Sequence, residues 1–224
     1  MPIDKELDID LGELAYVPST GVTKVIEVPV VDATPANIKG YGHIVETDPE
    51  KFPIEIVRWP AQGTRPVDAN SGDQGGVTEG IFEFWWKGDT LYARNNAVGD
   101  SYLFAWSKLP EEAKTSGPAN PRDKVLIWRA NYHPDGGQLF FPTRPDSKGF
   151  LVPLALPGDD VTPKKFVAYR CCMGKGIYIH PNIWHGAVVS LDDQSQILDR
   201  QGRVHARVSV NFVEEFGCYL SIAL

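Results

Sequence analysis

The chain has 224 residues, 42% of them hydrophobic, which is enough apolar material for one large domain or two small ones. Its formal net charge of -7 and its lack of clustered lysines and arginines exclude a nucleic-acid-binding surface, because phosphate binding depends on such clusters. No stretch of about 18 uncharged apolar residues is present, so we also expect no membrane span.

Twelve short segments along the chain have the composition of β-strands. They are rich in Val, Ile, Tyr, Phe and Trp and are bounded by turn-forming residues. In chain order they are residues 22–31, 54–59, 80–86, 90–96, 124–133, 137–142, 149–156, 164–172, 176–180, 186–191, 203–212 and 218–224. So many short strands predict an all-β, mainly antiparallel sandwich or barrel.

Turns and short helices are predicted between these strands. Gly88 in "KGDT" and Gly202 in "DRQGR" predict hairpin turns, because glycine readily takes positive φ angles. Short helical pieces are predicted in residues 34–42, 108–115 and 213–217, and an exposed loop in residues 115–123. Residues 1–20 are expected to form an acidic N-terminal arm, and residues 21–224 a single domain.

The cysteines and the N-terminus indicate the cellular compartment. The chain contains three cysteines, two of them adjacent, and this arrangement does not make a disulfide framework. The first 20 residues do not combine a basic start with an apolar run, as a signal peptide would. We therefore expect a cytoplasmic protein with reduced thiols.

The segment "LIWRANYHPDGGQLFFP" places a polar stripe inside an apolar strand. Alternate residues of a strand share one face, so Arg129, Asn131 and His133 should point the same way. Gln138 follows the "PDGG" turn, and a hairpin here would bring it close to Asn131 and His133. We interpret these residues as the wall of a functional pocket, with hydrogen-bonded core residues as the alternative.

The spacing of these residues is similar to the metal-binding motif of cupin barrels, in which two histidines, a glutamate and a later histidine bind the metal. Asn131, His133 and Gln138 occupy the first three positions, and His185 in "PNIWHG" supplies the fourth. Two imidazoles and two amides lack the carboxylate that divalent cations favour. The residues are thus either metal ligands or direct substrate contacts, and His180, Arg129 or Tyr178 would complete the site.

Other chemistry finds little support in the sequence. The chain contains no G-x-S-x-G elbow, no phosphate-binding loop and no H-E-x-x-H helix, which favours lyase, isomerase or binding chemistry. A second polar stripe in "VHARVSVNF", which includes Arg207, is interpreted as a solvated face or a subunit contact, with a pocket wall as the alternative.

The sequence resembles the ureidoglycolate lyases of the cupin superfamily. The likeness is carried by the motifs "HPDGGQLFFP", "GKGIYIHPNIWHG", "ILDRQG" and "VPVVDATPANIKGYGHIVE". It implies a cupin-type β-barrel, or double-stranded β-helix, with a few short helices. It also implies a homodimer that acts on a small molecule in purine catabolism, splitting ureidoglycolate into glyoxylate and urea.

The resemblance further implies roles for individual residues. His133 and His185 would be the acid/base or metal-binding pair, supported by His180, because imidazole titrates near neutral pH. The cofactor would be nickel, manganese or zinc held by His133, Gln138 and His185, or there would be none. The predicted substrate-binding residues are Arg129, Asn131, Gln138, Tyr178, Asn182 and Trp184.

Departures from the family pattern keep other functions open. Asn131 stands where the family usually has an acidic residue, and Gly186 stands where a second histidine often follows. One alternative is a cupin isomerase, cyclase or hydrolyase that acts on a larger, more apolar biosynthetic intermediate. The other is a non-catalytic, metabolite-binding cupin.

Overall fold

The fold is known from a computed structural model. It describes residues 21–72, 75–203 and 206–224, so the predicted arm of residues 1–20 lies outside the described residues. Within the described part of the chain, no helix is long and apolar enough to cross a membrane.

Strands account for most of the regular structure in the described residues. The first strands are β1 (Val25–Glu27), β2 (Val30–Asp32), β3 (Gly42–Val45), β4 (Val77–Lys87), β5 (Thr90–Asn95) and β6 (Asp100–Trp106). They are followed by β7 (Lys124–Ile127), β8 (Arg129–Tyr132), β9 (Gln138–Pro142), β10 (Phe150–Ala155), β11 (Val167–Cys171) and β12 (Gly176–Ile179). The last are β13 (Trp184–Gly186), β14 (Val189–Ser190), β15 (Gln194–Gly202), β16 (Val208–Asn211) and β17 (Tyr219–Ala223). The helices are α1 (Pro110–Thr115), α2 (Phe212–Phe216) and the 3-10 turns Pro49–Lys51 and Pro163–Lys165.

These strands form two sheets. The larger has the order β1-β17-β7-β6-β5-β4-β15-β9-β12-β3, and the smaller has the order β16-β8-β13-β10-β11-β2, with β14 beside β10. Neighbouring strands are antiparallel except where β1 meets β17 and β2 meets β11. The prediction of an all-β, mainly antiparallel, cupin-like fold is confirmed.

The core joins side chains from both sheets. One buried cluster contains Phe82 and Phe140 from the larger sheet together with Leu154 and Val210 from the smaller one. β4 contributes the alternate residues Phe82 and Phe84 to this cluster, whereas β10 is buried along its whole length. Removing one such aromatic side chain typically costs about 3–5 kcal/mol of stability.

The single strand predicted for residues 124–133 is divided into two strands, and the polar stripe belongs to the second of them, β8. The chain leaves the larger sheet after β7 and enters the smaller sheet as β8, with Trp128 between them. The Trp128 indole Nε1 donates a hydrogen bond to the carbonyl oxygen of Leu103, 3.3 Å away. The crossing places Arg129 and Asn131 in the smaller sheet, while Gln138 at the start of β9 belongs to the larger one.

Several local predictions are confirmed. Gly88 has a φ of 61° in the turn between β4 and β5. Helix α1 lies in the predicted segment, and α2 begins after Asn211, whose Oδ1 accepts hydrogen bonds from the backbone N–H groups of Val213 and Glu214. Gly217, with a φ of 59°, ends this helix as a left-handed cap.

Other local predictions are wrong. Residues 54–59 form no strand and make only the isolated bridge between Ile56 and Gly136. Residues 34–41 form turns instead of a helix. The side chains of Thr34 and Asn37 bond to each other's backbone N–H groups as in a capping box, but the chain turns at Gly40, which has a φ of 95°. The "DRQG" segment continues β15 instead of turning, and β6 was not predicted.

Candidate active site

The barrel encloses a small polar cavity. Its volume is about 50 Å³, which is several times what one water molecule needs. Its polar lining consists of Asn95, Arg129, Asn131, His133, Gln138, His185 and Arg207. Phe82, Tyr102, Phe104 and Phe140 form much of the remaining wall.

Strand register brings the central residues together. His185 on β13 lies directly opposite Asn131 on β8, and cross-strand partners project to the same side of a sheet. His133 follows the end of β8 and keeps the alternation of Arg129 and Asn131. Gln138 reaches the same cavity from the larger sheet.

Both histidines present the same ring nitrogen to Asn131. The Nδ1 atom of His133 lies 2.8 Å from the carbonyl oxygen of Ala206, and that of His185 lies 3.1 Å from the carbonyl oxygen of Ile183. A carbonyl only accepts, so each Nδ1 carries the proton and each Nε2 keeps its lone pair. The two Nε2 atoms lie 3.4 and 3.2 Å from the Asn131 amide nitrogen, which donates to them.

The protonation of His185 follows from its surroundings. Burial lowers the pKa of His185 to about 4, although the hydrogen bond to Ile183 opposes this shift. His185 is therefore neutral at neutral pH. It can accept a hydrogen bond or bind a metal through Nε2, but it cannot act as a standing positive charge.

Arg129 supplies a positive charge on the cavity wall. Its guanidinium carbon lies 4.6 Å from the ring centre of Trp128 and 5.7 Å from that of Tyr102. Burial, reinforced by the positive charge of Arg207, lowers the pKa of Arg129 to about 10, so it stays protonated at neutral pH. None of the ion pairs found in the described residues involves Arg129, whereas Arg207 donates to Asp68 at 2.7 Å. Arg129 is thus available to an anion in the cavity.

Gln138 is oriented by a buried carboxylate that the sequence had not singled out. The side chain of Asp199, which is fully buried, accepts hydrogen bonds from Gln138 Nε2 at 2.8 Å and from the amide nitrogens of Asn95 and Gln201 at 2.7 Å. Burial raises the pKa of Asp199 to about 6, while the bonds from Asn95 and Gln138 oppose the rise. The side-chain oxygen of Gln138, Oε1, has no hydrogen-bond partner in the described part of the chain.

Two of the residues predicted to bind substrate lie away from the cavity. Tyr178 packs on the opposite face of β12 from the core residue Ile177, and its hydroxyl accepts a hydrogen bond from the Glu55 N–H at 3.0 Å. Trp184 is fully buried, and its indole N–H donates to the carbonyl oxygen of Gly158 at 2.9 Å. In the structure, both of these predicted substrate-binding residues serve in packing.

The turn at residues 180–183, between β12 and β13, also lies outside the cavity wall. His180 is partly exposed, with its ring centre 4.9 Å from that of His43 and its Nδ1 3.7 Å from a carboxylate oxygen of Glu55. Asn182 has a φ of 66°, and its backbone N–H donates to the carbonyl oxygen of His133 at 2.9 Å. This turn therefore ties the two histidine-bearing segments together through backbone contacts.

Of the predicted site residues, the cavity brings together Arg129, Asn131, His133, Gln138 and His185. Sequence reasoning missed Asp199, Asn95 and Arg207. A signal for Asp199 was present, because it alternates with Ile197 on β15 and an acidic residue on a buried face requires partners. Arg207 was assigned to solvent or a subunit contact, yet it lines the cavity.

The residues do not fit the predicted nickel, manganese or zinc site. The part of the chain that the structure describes has no group of three or more His, Cys, Asp or Glu side chains able to hold a metal. Beside the two imidazoles stand the neutral amides of Asn131 and Gln138, and the nearby carboxylate of Asp199 is already bonded to three amides. Divalent cations of this series favour imidazole with carboxylate or thiolate. The function is therefore derived from the side chains alone.

A cupin-like barrel with a polar cavity between its sheets defines a small-molecule site of the kind found in enzymes. Residues 119–215 match the family model of ureidoglycolate lyase. The matched region contains His133, Gln138, His185 and Asp199. The match confirms the resemblance that the motifs indicated, and the family that it describes is one of lyases. A search of curated proteins found no match to the chain.

Proposed function

We propose that this protein cleaves the carbon–nitrogen bond of ureidoglycolate, or of a closely similar hydroxy acid, to release glyoxylate and urea. The observation that carries the proposal is the meeting in one cavity of two histidine Nε2 atoms and Arg129, which no ion pair among the described residues involves. The family match supports the reaction, and the cavity volume of about 50 Å³ favours a small acid over a larger apolar intermediate.

Arg129 is the proposed carboxylate-binding residue. A guanidinium offers parallel N–H donors to the two oxygens of a carboxylate, and stacking on Trp128 and Tyr102 limits its rotation. This anchoring leaves the hydroxyl and ureido groups of the substrate to face the histidines and Gln138.

The proton transfer is assigned to His133. In the reaction a base removes the hydroxyl proton, the carbonyl of glyoxylate forms, and the carbon–nitrogen bond breaks with its electron pair going to nitrogen. The same imidazole then gives the proton to the urea nitrogen. The lowered pKa of His185 makes its protonated form unfavourable, so His185 accepts a hydrogen bond from the substrate while His133 carries the proton.

An activity assay tests the proposal. The purified protein is incubated with ureidoglycolate, and glyoxylate release is followed with a coupled dehydrogenase against the spontaneous rate. We expect His133→Gln to lower kcat by about 100-fold or more, which is typical for loss of an acid/base group, and His185→Gln also to reduce activity. His43→Gln is the matched control, because His43 lies outside the cavity.

Metal dependence is measured in the same assay. Because the donor set does not suit a divalent cation, a chelator or added nickel or manganese should leave the rate unchanged. If glyoxylate release never exceeds the spontaneous rate under any of these conditions, the proposed function is wrong, and the metabolite-binding alternative gains support.

We also propose a homodimer, a cytoplasmic location and a role in purine catabolism, as the resemblance to ureidoglycolate lyases implies. Size-exclusion chromatography with light scattering tests the dimer, and a monomeric mass would contradict it.

A further inference from the structure

The buried carboxylate of Asp199 takes no part in the proton transfer proposed above. We propose that Asp199 is a positioning residue that turns the oxygen of Gln138 to the cavity, so that the site selects ligands carrying an N–H donor as well as a carboxylate. This inference rests on the proposed function because it concerns the same cavity. Ligand binding tests it without any turnover.

The orientation of Gln138 follows from the hydrogen-bonding capacity of its neighbours. An ionised carboxylate only accepts hydrogen bonds, so each amide that contacts Asp199 must present its nitrogen. Asn95 does so, and its own oxygen accepts a hydrogen bond from the backbone N–H of Ala97 at 3.0 Å. Gln138 also presents its nitrogen to Asp199, so its oxygen is left for another donor.

That oxygen is buried and lacks a donor. Gln138 is 4% exposed and lines the cavity, and within the described residues its Oε1 has no hydrogen-bond partner. Leaving a buried acceptor unpaired is unfavourable, so a ligand that brings an N–H group to it gains affinity. A ligand without such a donor leaves the oxygen unpaired and binds more weakly.

The cavity can distinguish the two ends of a ligand. Arg129 belongs to β8 in the smaller sheet, whereas Gln138 belongs to β9 in the larger sheet. A ligand held by its carboxylate at Arg129 therefore extends from one sheet to the other. The preferred ligand class is a short carboxylate with an amide or ureido group at its other end.

Two ligands of matched shape test this selectivity. Ureidoacetate carries a carboxylate and a ureido group, and 4-oxopentanoate has the same chain length and carbonyl but C–H groups in place of N–H groups. Isothermal titration calorimetry on the full-length wild-type protein should show ureidoacetate binding at least about 10-fold more tightly. Equal affinities, or no binding of either ligand, would overturn the inference.

The variant Asp199→Asn should reverse the polarity of Gln138. The oxygen of the introduced asparagine can accept from Asn95 and Gln201, but its N–H group then needs an acceptor. Rotation of the Gln138 amide supplies one and leaves the glutamine nitrogen to face the cavity. The preference for ureidoacetate should fall to within about 2-fold, and a preference that persists would contradict the positioning role.

A second substitution provides a rescue that a merely structural role would not produce. In the double variant Gln138→Glu with Asp199→Asn, one oxygen of the introduced glutamate accepts from the introduced asparagine and the other faces the cavity. We expect the preference for ureidoacetate over 4-oxopentanoate to return, since a hydrogen-bond acceptor is restored. No recovery in a folded double variant would count against the inference.

Asp89→Asn is the matched control. Asp89 is also a buried carboxylate, and it accepts hydrogen bonds from Ser107 and from the Ala119 N–H, but it does not line the cavity. This variant should keep the wild-type ligand preference. Loss of turnover with a retained preference would refute the lyase reaction alone, and turnover without a preference would refute the role of Asp199 alone.

Discussion

Arg129 illustrates how a charged side chain is kept in the barrel although, among the described residues, no carboxylate forms an ion pair with it. Its guanidinium stacks on Trp128 and Tyr102, which cover its faces but do not satisfy its N–H donors. Arg207, the other arginine of the cavity, is instead paired with Asp68. The two arginines therefore differ in availability, and Arg129 is the one suited to bind an anion.

The variant Arg129→Met should weaken ureidoacetate binding by about 10- to 100-fold, because a charge-assisted hydrogen bond is lost. Arg129→Lys should recover only part of this loss, since lysine presents a point charge instead of a planar fork. Calorimetric titration measures both. Arg144→Met is the control, because Arg144 lies at the surface in a pair with Asp146. This variant should bind ureidoacetate with the affinity of the wild-type protein. Unchanged binding in Arg129→Met would contradict the assignment.

Among the elements, β16 depends on a neighbouring loop for its stability. In the part of the chain that the structure describes, this strand ends the smaller sheet and pairs with β8 alone. Asp68 lies beside it, with its backbone N–H bonded to the Arg207 carbonyl at 2.7 Å and its carboxylate accepting from Ser209 at 2.7 Å. The loop thereby covers backbone groups next to β16 that water would otherwise reach, which protects the edge of the sheet.

Asp68→Ala should loosen this edge. We expect faster hydrogen exchange in residues 206–211 and a loss of about 1–3 kcal/mol in the free energy of unfolding, since partly buried partners lose their acceptor. Exchange mass spectrometry and urea titration measure the two effects. Asp48→Ala removes the surface pair with Lys51, whose side chains are 62% and 81% exposed, and should change stability little. Equal exchange in both variants would argue against the protective role.

For the molecule as a whole, two buried groups give stability opposite dependences on pH. The pKa of His185 is lowered to about 4, so its contribution is complete above its unfolded pKa and is lost as pH falls toward 4. The pKa of Asp199 is raised to about 6, so its contribution is complete below the unfolded pKa and is lost as pH rises through 6. Between these limits the two effects oppose each other.

Removing either group should expose the effect of the other. As pH is lowered from 6.5 to 4, the unfolding free energy of Asp199→Asn should fall by roughly 3 kcal/mol more than that of the wild type, because the Asp199 gain is absent. Over the same pH range, the unfolding free energy of His185→Gln should rise relative to that of the wild type by a similar amount. Urea titrations across this range measure both. Asp193→Asn, at a side chain 90% exposed, should follow the wild type, and parallel curves for all variants would refute the opposing effects.

Part of the site could be predicted because it depends on local regularity. Alternation along a strand places Arg129, Asn131 and His133 on one face whichever sheet receives the strand. Tyr178 and Trp184 belong to the same motif as His185, but neighbouring residues of a strand face opposite sides, so motif membership does not place them in the cavity. Asp199 was missed because its partners come from three other points of the chain, Asn95, Gln138 and Gln201.

The sequence by itself determined the all-β class, most strands, the resemblance to ureidoglycolate lyases and the polar stripe, because composition and alternation act over a few residues. Only the tertiary structure decided which polar groups meet. The crossing at Trp128 brings Arg129 and Gln138 together from different sheets, and strand pairing places Asn131 against His185. Such contacts depend on register between distant segments, which local patterns do not specify.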